Sequence, residues 1–403
     1  MTAAVTRKHF SPQFWLMFAG LVISSTGTTM IWPFLMIYAS ERLGLPLTTV
    51  TSLMSINSIA GLISSIVAGS LVDRFGRKGV MAVGLFGHAL VYLAYIPATQ
   101  YWHFAILMVL AGVFNPLFRV GSDAMLADMF SPEERTQAFA VVRMGRNIGV
   151  ALGPVLGGLV LSISYSFGMY AAALALGIFG FITVLFLKET NAPDSTKPVE
   201  TLTDQLRVFR EALQNTLFTR LIGAFTLMEV CGTLMWSFLA VYLKQNFGIS
   251  ETRYSWIPTT NALMVVFLQL LVTRQTQKYP TTHVLPAGAA FYAASMLILG
   301  LSNNYWGFWV GMVVMTIGEL ITAPTATSFV ANLAPPDKRG RYLGLFGLTW
   351  NIAMSIGPFG AGFLTDNVSM RAPWYAGALV GLASVLAFIS LDRLSKRPQV
   401  NPN

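Results

Sequence analysis

The sequence predicts an all-α polytopic membrane protein with twelve transmembrane helices, arranged as two six-helix repeats around a central cavity. Three observations carry this expectation: a shortage of charge, a recurring apolar run of membrane-spanning length, and an internal repeat at fixed offset. Of 403 residues, 54% are hydrophobic and 11% charged, and the mean hydropathy is +0.61. A soluble domain carries roughly a quarter of charged residues to clothe its surface. Half that supply means that most of the surface faces something other than water.

Apolar runs of about 20 residues recur along the chain, each long enough to cross about 30 Å of hydrocarbon. They place helices at 13–38, 48–72, 79–98, 102–130, 138–163 and 166–187, then at 217–243, 253–275, 282–302, 304–333, 340–364 and 372–394. Helices are required because backbone groups in lipid must pair within their own segment, and the runs lack the period-two alternation of a barrel. Arg7, Lys8 and His9 precede the first run, but that run is far longer than the apolar core of a secretory signal, so it reads as a retained span. The resulting organisation is a bundle over 1–187, a polar linker over 188–216 and a second bundle over 217–403. Within the linker, Leu202, Leu206, Phe209, Leu213 and Leu217 have helical spacing, which predicts an amphipathic helix lying on the membrane surface.

The net charge of +9 is topological. The amino terminus, the even-numbered loops and the carboxyl terminus hold 19 of the 26 Lys and Arg, among them Arg74, Arg77, Lys78, Lys197, Arg207, Lys338, Lys396 and Arg397. The opposite side holds Arg42, Lys244, Arg253 and Arg371, while Arg119, Arg143 and Arg146 lie inside spans. This positive-inside bias puts both termini in the cytoplasm and the chain in the plasma or inner membrane; no nucleic-acid partner is implied. One cysteine, Cys231, excludes a disulfide framework, and the four histidines make no metal-ligand spacing. No cofactor is expected, and no catalytic or nucleotide-binding motif supports an intramembrane enzyme or ATP-driven transport.

The repeat has an offset of 204 residues: Trp32, Phe34, Leu35 and Tyr38 match Trp236, Phe238, Leu239 and Tyr242, Asn57 matches Asn261, and Gly153-Pro154 and Gly158 match Gly357-Pro358 and Gly362. Matched Trp, Asn, Gly and Pro at one offset are not chance apolar coincidence. Six spans per half is an even number, so the halves are related by a pseudo-two-fold axis along the membrane normal, with the substrate site between them near the midplane.

After the second span comes Gly69-Ser-Leu-Val-Asp73-Arg74-Phe-Gly76-Arg77-Lys78. This resembles the loop signature of the major facilitator superfamily, and the 6+6 repeat extends the resemblance over the whole chain. It implies that Asp73 sits against the positive end of the eleventh helix, that Arg77 pairs with Asp128, and that together they latch the outward-facing state. The second-half counterparts, Gln277 and Lys278, lack the acid, so the latch is one-sided. In the fifth span, Gly149, Gly153, Pro154, Gly157 and Gly158 are similar to the superfamily's antiporter motif; plain helix packing would satisfy the same residues. The segment from Trp32-Pro33-Phe34-Leu35 to Glu41-Arg42-Leu43-Gly44 also resembles the twelve-span drug:proton antiporters. Two features depart from that group: the span 13–38 has no acid, and Met108 stands where an arginine is expected.

Ionisable groups at membrane depth are costly and normally face a cavity or a partner. Depth alone selects Arg119 and Asp123 on the fourth span, Glu229 on the seventh and Glu319 on the tenth. Arg119 and Asp123 stand at i,i+4 and can pair with each other. Arg143 and Arg146 can neutralise Asp123 or Asp128, or contact substrate. Glu229 and Glu319 replace Ser25 and Asn115 of the first half, so they are particular to the second; either can carry a coupling proton or attract a lipophilic cation. Glu319, after Gly318, is the first choice for coupling because the same context marks related multidrug exporters. Asn115, Trp32 and Trp236 complete the expected cavity, although packing would equally explain the tryptophans, and His88 reads as a packed histidine. The expected function is proton-coupled export of lipophilic or cationic small molecules by a monomer in contact with lipid and protons. An exporter, flippase or symporter of a metabolite or lipid is the alternative, with a non-transporting sensor behind it.

Overall fold

The computed structural model describes residues 10–190, 210–334 and 339–395. Its elements are twelve long helices: α1 (Pro12–Leu43), α2 (Leu47–Phe75), α3 (Arg77–Tyr95), α4 (Tyr101–Asp128), α5 (Pro132–Leu161), α6 (Tyr165–Phe186), α7 (Thr216–Phe247), α8 (Glu251–Thr276), α9 (Thr281–Leu301), α10 (Tyr305–Leu333), α11 (Arg339–Asn367) and α12 (Ala372–Ser395). Eleven are long and apolar enough to span a membrane by that test alone, and α11, at 29 residues, is the twelfth by length and packing. Leu90, Leu174, Phe181, Leu270 and Leu386 are exposed on the outer surface of the bundle, as a lipid-facing belt requires. The chain is a multi-pass integral membrane protein. Of the expected surface helix, Leu202, Leu206 and Phe209 lie outside the described residues, as do Arg7, Lys8, Lys197, Arg207, Lys338, Lys396 and Arg397 among the basic residues.

The first span is longer than expected, running to Leu43 and so including Glu41. Both first helices of the halves are broken at the same repeat position. Pro33, which lacks an N–H, forces a 3₁₀ turn over Trp32–Phe34, whereas α7 has no proline there and relaxes into a π turn over Leu234–Phe238. Each helix then ends on a left-handed glycine, Gly44 (φ 60°) and Gly248 (φ 61°), the conformation that costs glycine least.

Within the first half α1 packs on α5 and α6, and α4 on α2 and α3; within the second, α9 packs on α10 and α12, and α7 on α11 and α12. The halves meet along two seams, α2 with α11 and α5 with α8. The repeat is legible atom by atom at these seams. A Cβ on Gly158 would lie 2.9 Å from the Glu251 carbonyl oxygen, and one on Gly362 would lie 2.7 Å from the Leu47 carbonyl oxygen. The two contacts, Gly158 with Glu251 and Ser255, and Gly362 with Leu47 and Thr51, are related by the repeat: Leu47, Thr51 and Gly158 stand 204 residues before Glu251, Ser255 and Gly362.

The remaining antiporter-type residues bring α1 against α5. A Cβ at Gly149 would meet Ser25 and Thr26, one at Gly153 would collide with Thr29, and one at Gly157 with the Met30 carbonyl. Ser25 Oγ donates to the Arg146 carbonyl and Thr29 Oγ1 to the Gly149 carbonyl, both at 3.0 Å. Pro154 is buried inside α5. Gly157→Ala is therefore expected to cost on the order of 1–3 kcal/mol through overpacking against backbone. Gly177→Ala, at a position with open space, is expected to cost nothing; thermal unfolding of the two purified variants checks the difference.

Candidate functional site

A cavity of about 390 Å³ opens in the second half, lined by Glu229, Trp236, Tyr292, Glu319, Phe346 and Trp350, with Phe225 and Thr322 among the remainder. The two carboxyls come from facing helices, α7 and α10, and each is only half-buried because the cavity reaches it. Glu319 is held from the side: Asn261 Nδ2 on α8 donates to its Oε2 at 2.7 Å and to Thr316 Oγ1 at 3.0 Å. In the first half the repeat partner Asn57 donates to the Met108 carbonyl of α4 at 3.0 Å. The same α2–α4 and α8–α10 tether thus serves backbone in one half and a carboxylate in the other. Among the described residues no hydrogen-bond donor or ion-pair partner engages Glu229.

The first half supplies two smaller spaces. One of about 180 Å³ is lined by Ser24, Ser25, Asn115, Arg119 and Arg146, and one of about 290 Å³ by Trp32, Asn57, His88, Asn115, Arg119 and Trp350. Arg119 and Asn115 face both, and Trp350 faces both the second of these and the larger cavity, so the three form one central space. Trp32 and Trp236 each sit in the broken turn of their helix and are the half-buried member of it that turns to a cavity. His88 is stacked on Tyr92 (centroids 4.9 Å apart), packed as expected, yet it also borders the cavity.

The i,i+4 pairing of Arg119 with Asp123 is replaced. Asp123 Oδ1 instead accepts from Arg146 Nη2 of α5 at 2.6 Å. Arg146 reaches across the α4–α5 gap to Asp123, while Arg119 lines the two first-half spaces. Asp123 lines none of these spaces and acts through Arg146.

The loop between α2 and α3 is built on Gly76, whose φ of 88° is open to glycine. Arg77 is buried and pairs with Asp128 (2.9 Å) and Asp73 (3.0 Å), and its Nη1 donates to the Val72 carbonyl at 3.2 Å. Glu189, at the end of α6, accepts from the backbone N–H groups of Arg77 and Lys78 at 3.1 and 3.0 Å, capping α3. Arg74 lies over the Phe75 ring at 5.4 Å, and the space around Gly69 is open. The expected contact of Asp73 with the start of α11 is not among the described interactions; Asp73 is half exposed and its ion-pair partner is Arg77. The side chains at the start of α11, through 341, lie outside the described residues.

The opposite face is closed, and sequence reasoning missed how. Glu251, 5% exposed, accepts from Tyr165 Oη at 2.7 Å and pairs with Lys244 at 3.0 Å, with Glu41 4.0 Å from the same ammonium. Gln245 donates to Ser40 Oγ at 2.6 Å. Asp366, at the end of α11, accepts from the Leu47 and Thr48 N–H groups at 3.2 and 2.7 Å, capping α2 from the other half. Nearer the middle, Ser55 donates to the Ser355 carbonyl at 2.5 Å and Thr259 to the Ala151 carbonyl at 3.4 Å. These bonds between halves all lie at that depth or beyond it, toward the face away from the termini. A hint in the sequence was the position of Glu251 and Asp366 at helix ends, where a carboxylate finds free N–H groups or a neighbouring base.

The sequence profile of the Major Facilitator Superfamily matches residues 17–237 and, a second time, 221–403. The chain belongs to the major facilitator superfamily. Among its relatives is a Na(+), Li(+), K(+)/H(+) antiporter of Planococcus maritimus, 26% identical over 373 residues, covering 84% of this chain and 86% of the relative. The quinolone resistance protein NorA of Staphylococcus aureus (strain COL) is 24% identical over 383 residues, covering 93% and 95%. A solved peptide transporter, POT in complex with sulfate, superposes with a TM-score of 0.79 over 95% of this chain and 94% of that one at 17% identity, a likeness of fold alone. As a transporter of this superfamily, the protein is seen with its halves joined at the face away from the termini.

The Asp366 cap is a bond that must break when the joined face opens. Asp366→Ala is expected to raise the population open at that face about fivefold, since one helix cap is worth about 1 kcal/mol. Distances between nitroxides at Gln100 and Asn303, with Cys231 buried and silent, check it; an unchanged distribution counts against the role.

Proposed function

We propose that the protein is a proton-coupled exporter of lipophilic organic cations, working by alternating access between its two six-helix halves. One observation carries this: Glu229 and Glu319 share an aromatic-walled cavity at membrane depth, with Trp236, Tyr292 and Trp350 around them. Aromatic faces and a carboxylate together attract an organic cation. Arg77, Asp73 and Asp128 form the conformational latch, and Gly158 of α5 with Gly362 of α11 gives the packing along which the halves rock. The basic excess sets the face of the two termini in the cytoplasm.

In this reading Glu319 is the coupling acid. Asn261 fixes one of its oxygens, leaving the other toward the cavity, where a proton and a substrate cation compete for it. Glu229, without a partner among the described residues, holds the cation when Glu319 is protonated. The relatives named for drug resistance and for cation/proton exchange support the reading. The second of these also favours an alkali ion as cargo, which would need a set of oxygen ligands. The walls offer Phe225, Trp236, Tyr292, Phe346 and Trp350 around the two acids, a lining that suits an organic cation better.

The test is uphill movement of a fluorescent lipophilic cation into liposomes under an imposed pH gradient. Wild-type protein is expected to accumulate the dye, and Glu319→Gln to reduce accumulation to that of protein-free liposomes. Accumulation that ignores the gradient, or persists in Glu319→Gln, overturns the assignment. Replacing the dye by sodium flux separates the alkali-ion reading.

A further inference from the structure

The two walls of the central space carry opposite charge. The second-half wall presents Glu229 and Glu319, while the first-half wall presents Arg119 and Arg146. A lipophilic cation seated between them would gain at one wall and be repelled at the other. A cargo with only a positive end therefore leaves half of this site unexplained.

Neutralisation within the walls narrows the question to one residue. Arg146 is matched by Asp123 at 2.6 Å. Arg143, exposed on α5, lies close enough to Glu319 for the two charges to interact. Arg119 has no carboxylate within ion-pair distance among the described residues and, unlike Arg143, borders both first-half spaces. Beside it stands a group that can donate to an anion's remaining lone pairs: the Asn115 amide lines both spaces. Ser65 Oγ, in the wall of the larger one, has no hydrogen-bond partner. Arg119 is exposed to this space, so its guanidinium is free to take a carboxylate, which it holds with two parallel hydrogen bonds. Trp350 lines both this space and the acid-lined cavity, so a molecule laid across it would present one end to each.

We propose that the cavity takes an organic zwitterion, its cationic end at Glu229 and Glu319 and its carboxylate at Arg119, with the aromatic body across Trp350. This rests on the reading of the two glutamates as a cation site and adds the opposite pole. Arg119 then sets specificity: it rewards a carboxylate and penalises a bare cation.

The probes are rhodamine B, which carries a free carboxylate, and its ethyl ester, the same dye without the anion. Binding of each to purified protein is read from quenching of tryptophan fluorescence, for wild type, Arg119→Gln and Arg119→Lys. The expected result is a fall of about tenfold in the ratio of zwitterion to ester affinity in Arg119→Gln, the worth of one charge-assisted contact. Partial recovery of the ratio is expected in Arg119→Lys, which keeps the charge but loses the fork. A ratio unchanged in Arg119→Gln overturns the proposal, even if both affinities fall together, because that pattern marks a structural residue. Glu229→Gln separates this outcome from failure of the underlying reading. If it weakens the ester while the Arg119→Gln ratio is unchanged, the cation site stands and the anionic pole falls. If it leaves the ester untouched, the cation site fails and the zwitterion proposal fails with it.

Discussion

Two helical halves can rock against each other only if they touch closely enough to hold together and smoothly enough to slide. The contacts at Gly158 and Gly362 meet both demands. Each lets a helix of one half come within backbone distance of the other half, at Glu251 and Leu47 respectively. Packing of this kind is dispersion between flat surfaces, with few interlocked side chains to be undone by a small rotation. The antiporter-type glycines do related work inside the first half, where Gly149, Gly153 and Gly157 let α1 lie on α5. That contact sets the depth of Trp32 and Arg146, and through them the shape of the first-half cavity.

The repeat explains the scaffold, and departures from it explain the site. Asn57 and Asn261 occupy one position and play one part, tying neighbouring helices. Only the second-half copy also touches a carboxylate, because Glu319 stands where the first half has Asn115. Trp32 and Trp236 likewise share a position but reach it through different helix breaks, a proline-driven tight turn and a wide π turn. Symmetry built a frame with two similar walls; substitution then gave them opposite charge.

Much of this was legible in the sequence, and the limit has a physical cause. Apolar runs gave all twelve helices within a few residues, except where a polar end extended a span, as Glu41 does in α1. Constant offset gave the two halves. The depth of Arg119, Glu229 and Glu319 gave residues that do line the central space. What spacing along one helix does not encode is which neighbour a side chain meets across a gap. Hence Asp123 was open between Arg119 and Arg146, and only the packing of α4 on α5 decides for Arg146. Trp350 and Tyr292 were missed because nothing in an apolar span distinguishes an aromatic that faces a cavity from one that faces lipid. Glu251 and Asp366 were missed because a charge beside a loop looks solvated until the opposite half is placed over it.

The seal on the joined face consists mostly of hydrogen bonds to backbone groups and to half-exposed side chains, as Asp366 to the N–H groups of Leu47 and Thr48. Every such bond has an equivalent that the surrounding water offers as soon as the face parts. Parting its polar bonds exchanges one set of hydrogen bonds for another of similar free energy. The apolar part of the seal, where Phe34 meets Tyr254 edge to face across the halves, is what a bound molecule or proton has to offset. A seal of interlocked apolar side chains would hold more firmly, but would leave a carrier that waits in one state.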